Sequence, residues 1–234
     1  MRTAAGAGPV RGLVFDLDGT LIDSYEAIGE SLNHALSTMG YEELPADRVR
    51  SLVGRGLEIL IRQATGGGDD VTVARGVALF RQRYDRICES RTRLLPGVLG
   101  TLETLSARGY PMAVATNKPS YFARRILDAL GAGRAIELVV GPDLVAHPKP
   151  HPEMLLAALD RLRVPPADAL YVGDMEIDIQ TARAAGVRVV VVPTGSRGAA
   201  ELALSGADRM LPRFSALLGL LDRIGDPLLE SNHP

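Results

Sequence analysis

The apolar residues of this chain form two kinds of stretch: short continuous runs, and longer segments in which they recur every three or four positions. Continuous runs rich in Val, Ala and Leu predict strands that are covered on both faces. Five such strands are predicted, at Gly12–Phe15, Met112–Ala115, Leu138–Val140, Ala169–Val172 and Val187–Val192. Helical periodicity alternates with them, at Leu99–Leu105, Tyr121–Leu130, Glu153–Leu162 and Ile177–Ala185. The alternation predicts an α/β fold with a parallel, Rossmann-like sheet flanked by helices.

One part of the chain interrupts this alternation. From about Ser24 to about Arg91 only helical patterns are present, and the first of them places Ile28 and Leu32 on one face. We therefore expect an α-helical cap domain inserted after the first strand, within the normal size range of a small domain. The predicted domains are a catalytic α/β core, residues 1–22 and 93–234, and a helical cap, residues 23–92.

Composition and charge narrow the classes of partner. The 234-residue chain is 46% hydrophobic, with a net charge of −2 and a pI of about 6.1. A protein that binds nucleic acid or a membrane surface would need a basic excess, so we expect neither partner. A run of roughly 18 apolar residues, as a spanning helix requires, is missing. The single cysteine, Cys88, fits a reducing cytoplasm, and we expect a cytoplasmic monomer or homodimer.

Two aspartates stand at the end of the first predicted strand, in the stretch VFDLDGTL. In extended backbone, residues i and i+2 point the same way, so Asp16 and Asp18 would face one site. Gly19 would then let the backbone turn and approach a ligand closely. Two neighbouring carboxylates repel each other unless a cation lies between them, and Mg²⁺ prefers such oxygen ligands. The alternative is a polar strand end that caps a turn.

A second pair of carboxylates follows another predicted strand, in the stretch YVGDMEID. Asp174 again stands at the carboxyl end of a strand, and Asp178 would lie in the first turn of the following helix, where the helix dipole tolerates negative charge. Parallel sheets place ligand sites outside the carboxyl ends of their strands, so both pairs are expected at one edge. A helix cap would explain one of these two acids well and both poorly.

Two further segments bring groups that suit a phosphate. MAVATNKP ends a strand with Thr116 and Asn117, whose hydroxyl and amide can bind phosphate oxygens without adding charge, although alone it is a turn signal. Lys149 stands between two prolines, so its backbone is restricted on both sides. A stiff loop carrying one ammonium suits a site rich in acids, although an exposed turn would have the same sequence. Four carboxylates and one ammonium need a divalent cation before a phosphate can enter.

Together these four segments resemble, in order and spacing, the motifs of the haloacid dehalogenase-like hydrolase superfamily. The matching segments are DLDGT at 16–20, TNK at 116–118, Lys149 in PKPHPE, and GDMEID at 173–178. The helical insert is similar to the small α-helical cap of that superfamily, and FDLDGTLIDS, ATNKP and PKPHP are typical of its phosphoglycolate phosphatase-like subgroup. Met175 and Glu176 depart from the pattern, since many relatives carry a small polar residue after the aspartate.

The resemblance implies a phosphatase that works through a covalent intermediate. Asp16 would be the nucleophile and form an aspartyl phosphate, while Asp18 would protonate the leaving alkoxide and then activate water. Mg²⁺ would be held by the Asp16 carboxylate, the Asp18 backbone carbonyl and Asp174, with Asp178 in the metal site orienting metal-bound water or a ligand. The transferring phosphoryl group would be bound by Thr116, the Asn117 backbone and Lys149. An acid at position 18 also favours phosphoryl transfer over dehalogenation, which leaves no alkoxide to protonate.

Substrate choice is expected to reside in the helical insert, which can close over the site. Arg55 lies between Gly54 and Gly56, where the subgroup is expected to carry a substrate-contacting loop, and its guanidinium would clamp a substrate carboxylate. A solvated arginine in a turn is the alternative.

The predicted function is hydrolysis of a small, phosphoglycolate-like phosphate monoester with Mg²⁺ as cofactor. Alternatives within the superfamily keep the nucleophile and change the reaction: a sugar phosphomutase, a pyrophosphatase or a nucleotidase. A non-enzymatic protein that binds phosphate esters is an alternative of another class. Converging carboxylates argue against it, because they are costly to bury without a cation.

Overall fold

The computed structural model describes residues 9–224. Its strands, in chain order, are β1 (Gly12–Phe15), β2 (Ile22–Asp23), β3 (Arg93–Leu94), β4 (Met112–Ala115), β5 (Leu138–Val140), β6 (Ala169–Gly173), β7 (Arg188–Val191) and β8 (Arg209–Met210). Its helices are α1 (Tyr25–Met39), α2 (Ala46–Leu52), α3 (Leu57–Ala64), α4 (Asp70–Ile87), α5 (Val98–Ala107), α6 (Ser120–Ala129), α7 (Glu153–Leu162), α8 (Glu176–Ala185), α9 (Ala199–Ala203) and α10 (Ala216–Ile224). Short 3₁₀ turns lie at Pro142–Leu144 and Pro166–Asp168.

Six parallel strands form one sheet in the order β5–β4–β1–β6–β7–β8. Leu13 and Phe15 of β1 pack into a hydrophobic cluster on one face of the sheet, and Val14 packs into a second cluster on the other face. Helices α5, α6 and α10 contribute to the first cluster, whereas α7 and α8 contribute to the second. Because both faces are covered, every position of the central strands is apolar, and this is the origin of the continuous runs in the sequence.

Helices α1 to α4 lie between β2 and β3. These two short strands pair antiparallel, with Ile22 opposite Leu94 and Asp23 opposite Arg93. The two ends of the helical segment therefore lie next to each other. Leu32 of α1 and Phe80 of α4 belong to the same hydrophobic cluster as Phe15 of the sheet. The division into two domains itself stays a prediction.

The predicted fold class is confirmed, and the predicted strands and helices lie within two residues of the observed ones. α7 begins and ends at the predicted residues. The sequence does not predict β2, β3 or β8, because a two-residue strand has no periodicity of its own and exists through its pairing partner. Among residues 9–224, none of the helices combines the length and hydropathy that a membrane span requires.

Candidate active site

The three central strands bring their carboxyl ends to one edge of the sheet. Phe15 of β1 is level with Val114 of β4 and with Val172 of β6. The polar residues that follow these strands are therefore neighbours: Asp16, Thr116 and Asp174. This is the edge at which parallel sheets hold their ligands.

The chain turns sharply after β1 and brings the DLDGT segment against Asp174. The backbone N–H groups of Thr20 and Leu21 both donate to the Leu17 carbonyl, at 3.2 and 2.9 Å. Gly19 has a φ of +86°, and a Cβ there would lie 2.5 Å from Oδ2 of Asp174, so this turn requires glycine. The Thr20 hydroxyl donates to Oδ1 of Asp174 at 2.8 Å. The turn thus fixes one oxygen of that carboxylate.

Lys149 is the central cation of the site. Its ammonium lies 2.8 Å from Oδ1 of Asp16 and 2.8 Å from Oδ1 of Asp178, and it donates to the Tyr171 hydroxyl at 3.1 Å. Burial alone would lower the pKa of Lys149, but the two carboxylates outweigh burial and raise that pKa well above its ordinary value. Lys149 is therefore a permanent positive charge at neutral pH.

Asp178 uses its two carboxylate oxygens for different partners. Oδ1 contacts Lys149, while Oδ2 accepts hydrogen bonds from the backbone N–H groups of Asp174 and Met175, both at 3.1 Å. As the third residue of α8, it satisfies donors that a helix leaves unpaired at its beginning. Asp178 therefore acts as a helix cap through Oδ2 and also forms an ion pair with Lys149 through Oδ1.

Asp16, Asp174 and Asp178 form a buried group whose ligand oxygens lie within 4.8 Å of one another. Burial raises the pKa of Asp16 from 3.8 to about 6, despite the lowering effect of Lys149. Burial, followed by the charges of Asp178 and Asp16, raises the pKa of Asp174 well above its ordinary value. Oδ2 of Asp174 is buried and has no hydrogen-bond partner among the described residues. A hard divalent cation fits this set, because it would offset the repulsion and satisfy that oxygen.

Asp18 lines the same cavity as Asp16 but has other partners. Its Oδ1 accepts hydrogen bonds from the Ser24 hydroxyl and the Lys118 ammonium. β1 ends at Phe15, and Asp18 lies in the turn that follows, where it forms an isolated bridge with Ile22. The Asp18 side chain lies outside the group of three carboxylates, which leaves its backbone carbonyl as the predicted metal ligand.

The Asn117 side chain holds the Lys149 loop in place. Its Oδ1 accepts from the Lys149 N–H at 3.0 Å, and its Nδ2 donates to the carbonyls of Lys149 at 3.3 Å and Gly54 at 3.0 Å. The side-chain amide is thus used within the protein, and its backbone is the part that remains for the predicted phosphate contact. Thr116 is buried beside it, lines the cavity, and accepts a hydrogen bond from the Lys118 N–H at 3.2 Å.

Arg55 lies away from this cavity. Gly54 and Gly56 both line the cavity, whereas Arg55 lines a separate surface cleft together with Arg48 and Arg62. Arg55 is not among the residues that line the cavity of Asp16. The predicted clamp therefore stays a prediction, and no contact in the described structure favours it.

The two residues that depart from the motif connect the helical segment and a core loop to α8. Gly54 has a φ of +122°, and a Cβ there would lie 2.4 Å from the sulfur of Met175, so the two residues are packed in contact. Glu176 is half-buried and accepts a hydrogen bond from Nε of Arg197 at 3.2 Å. Both side chains are engaged outside the group of three carboxylates, whose composition they do not change.

Four residues that support the site are absent from the sequence-based prediction. They are Thr20, Ser24, Lys118 and Tyr171. Thr20, Ser24 and Lys118 belong to the quoted segments, so the motifs are an available signal for them. Tyr171 stands in an apolar strand, and its hydroxyl lies 3.1 Å from both the Ala115 carbonyl and Oδ1 of Asp178. Nothing in the local sequence distinguishes it from an ordinary core residue.

Comparisons with known proteins agree on one family. The family model of haloacid dehalogenase-like hydrolases matches residues 13–192. A phosphoglycolate phosphatase from Rhodobacter capsulatus is 41% identical over 214 residues, covering 90% of this chain and 96% of the relative. A phosphoglycolate phosphatase from Pectobacterium atrosepticum is 37% identical over 217 residues, covering 91% and 92%. The crystal structure of a predicted phosphoglycolate phosphatase from Haemophilus somnus superposes with a TM-score of 0.84 at 29% identity, covering 92% and 99%.

Proposed function

This chain belongs to the haloacid dehalogenase-like hydrolase family and is a phosphatase, and from that premise we propose that it hydrolyses phosphoglycolate or a similar small monoester with Mg²⁺ through an aspartyl phosphate. The observation that carries the proposal is the buried group of Asp16, Asp174 and Asp178 with Lys149 between two of its members. The names of the relatives support the choice of substrate.

Asp16 is the proposed nucleophile, because Lys149 orients its carboxylate and the residue lines the cavity. An oxygen of Asp16 attacks phosphorus, the bond between phosphorus and the ester oxygen breaks, and Asp18 delivers a proton to that oxygen. In the second step water attacks phosphorus and gives a proton to Asp18. Asp16 is then released as a carboxylate, together with inorganic phosphate.

The remaining polar groups stabilise the negative charge that is present during these steps. Lys149 and Thr116 stabilise the negative charge on the phosphoryl oxygens, which is usually a large contribution to catalysis. Asp16, Asp174 and the Asp18 carbonyl would hold Mg²⁺, with Asp178 beside them. When bound, the ion supplies the positive charge that lets a phosphate dianion approach several carboxylates.

The helices of residues 23–92 are proposed to roof the site as a cap. Leu57 and Leu60 of α3 and Phe80 of α4 line the cavity in which Asp16 and Asp18 lie. Arg50 of α2 donates to the carbonyls of Thr194 and Gly195, at 2.8 to 3.2 Å, and so joins this segment to the core. A closed roof excludes bulk water and so strengthens the electrostatic interactions inside the site.

Phosphate release from a substrate panel tests the proposed function. The panel contains phosphoglycolate, sugar phosphates, nucleotides and pyrophosphate, each with Mg²⁺ and with a chelator. We expect metal-dependent release that is lost in Asp16→Asn and kept in Asp160→Asn, an exposed control on α7. Isomerisation of a sugar phosphate without release would instead favour a mutase. Release from only pyrophosphate or nucleotides would favour those hydrolases, and no turnover of any substrate would contradict the proposal.

A further inference from the structure

The cavity above Asp16 and Asp18 has mostly apolar walls. Its apolar lining comes from the helical segment and from α6: Ile28, Val53, Leu57, Leu60, Phe80 and Phe122. Among the polar residues that line the cavity, Lys118 and Tyr84 have no assigned role in binding the phosphoryl group or the metal. The leaving group of a substrate bound at Asp16 would occupy this space. Any polar group that it carries must therefore be met by Lys118, by Tyr84 or by water.

Lys118 is an unusual cation for this chain. Lys118 and Lys149 are the only lysines in the sequence, against 24 arginines, and both are more than nine-tenths buried in the site. The Lys118 ammonium forms an ion pair with the Asp18 carboxylate. An ammonium has three N–H donors, and Asp18 accepts one of them. Lys118 is thus a charged group with donor capacity at the cavity wall.

Tyr84 lines the same cavity, and its hydroxyl is buried. The side chain is 2% exposed, and its ring lies 5.3 Å from the Lys118 ammonium. No described group stands within hydrogen-bonding geometry of the hydroxyl, although Lys118 is close enough to affect its pKa. Burial raises the pKa of Tyr84 to about 12, so the hydroxyl keeps its proton. A buried hydroxyl without a partner is costly, and such a group in a native structure calls for a ligand or another explanation.

We propose that Lys118 and Tyr84 together bind a carboxylate carried by the leaving group of the substrate. This inference rests on the proposed function and narrows it to phosphate esters of short hydroxy acids. A carboxylate is flat, anionic and able to accept from two donors, so it matches an ammonium beside a hydroxyl. Its short carbon chain suits the apolar walls. In this proposal the carboxylate is bound by Lys118 and Tyr84 and not by Arg55, which lines a different cleft.

Two substrates that differ in one group separate the proposed role from catalysis. Phosphoglycolate carries the carboxylate, and ethyl phosphate has a methyl group in its place. We expect the wild-type protein to prefer phosphoglycolate, and Tyr84→Phe to lower kcat/KM for phosphoglycolate by about tenfold or more, as the loss of a hydrogen bond to a charged group predicts. The kcat/KM for ethyl phosphate should fall far less. Tyr41→Phe, a partly exposed tyrosine outside the cavity lining, is the matched control.

The outcomes distinguish this inference from the proposed function. If neither ester is hydrolysed by the wild-type protein, the proposed function fails. If both are hydrolysed and Tyr84→Phe leaves their ratio unchanged, or lowers both equally, the carboxylate site is wrong. Loss of the preference in Arg55→Ala with no change in Tyr84→Phe would return the role to Arg55.

A binding measurement tests the site without turnover. Protein labelled with ¹⁵N-lysine gives signals from only two side-chain ammonium groups, which Lys118→Arg and Lys149→Arg assign. We expect glycolate to shift the Lys118 signal, with a weaker response in Tyr84→Phe and none with ethanol. If the Lys118 signal does not shift at a saturating concentration of glycolate, the proposal is wrong even if the enzyme is active.

Discussion

Lys149 shows how one residue balances the charges of the site. Its ammonium is shared by Asp16 and Asp178, and its backbone is held from both sides by Asn117. Two carboxylates that face one ammonium leave net negative charge, and Asp174 adds to it. A phosphate dianion is therefore attracted only when a second cation is present.

Lys149→Ala should affect catalysis and stability together. Loss of a donor to the phosphoryl oxygens is expected to lower kcat by about 10²–10³-fold. Breaking a buried ion pair is expected to lower the free energy of unfolding of the metal-free protein by about 3–5 kcal/mol. Steady-state kinetics and urea denaturation measure the two effects. Tyr171→Phe is the milder control, because it removes one hydrogen bond to Lys149 and keeps the charge. Activity of Lys149→Ala within tenfold of wild type would contradict the assigned role.

The connection between α2 and α3 is the element that joins the helical segment to the site. Gly54 has no side chain, yet its carbonyl accepts a hydrogen bond from Asn117 and its Cα packs against Met175. Met175 stands directly before α8, at the position where the sequence departs from the motif. The departure therefore has a packing role between these two elements.

Gly54→Ala tests that contact. Positive φ alone disfavours alanine, and the added Cβ would also displace Met175. We expect a loss of about 1–3 kcal/mol in the free energy of unfolding and a raised KM, since the cavity is lined by Gly54. Gly66→Ala is the control, because Gly66 has a φ of +71° but open space around it. Equal losses in the free energy of unfolding and an unchanged KM in both variants would show that the contact with Met175 affects neither stability nor substrate binding.

At the scale of the whole molecule, the buried carboxylates link stability to pH and to metal. The pKa of Asp16 is about 6 in the folded protein, against 3.8 for an ordinary aspartate. Because the folded form binds this proton more tightly, the contribution to stability is full below about pH 4 and is lost as pH rises through about 6. A divalent cation would replace the lost proton and offset the repulsion between ionised groups.

Thermal denaturation from pH 5 to 7.5 checks this linkage. In metal-free protein we expect the Asp16 contribution to lower stability over this range by an amount on the order of 1–1.5 kcal/mol, because part of the contribution is already lost at pH 5. The stabilisation by Mg²⁺ should therefore be larger at pH 7.5 than at pH 5. Asp16→Asn removes the titrating group and should flatten the metal-free dependence. Stabilisation by Mg²⁺ that is equal at both pH values would argue against binding at these carboxylates.

The sequence by itself determined the class of fold and the list of motif residues. Strands covered on both faces must be continuously apolar, and the polar residues that follow β1, β4 and β6 must then meet at one edge. The tertiary structure decided which group contacts which. Lys118 contacts Asp18, which is 100 positions away in the chain, and Tyr84 of α4 contacts Lys118 in the loop between β4 and α6. Arg55 lies outside the cavity that its neighbouring glycines line. The local sequence pattern indicates burial and backbone geometry. Contacts between residues that are distant in sequence depend instead on how the turns and helices pack in the folded chain.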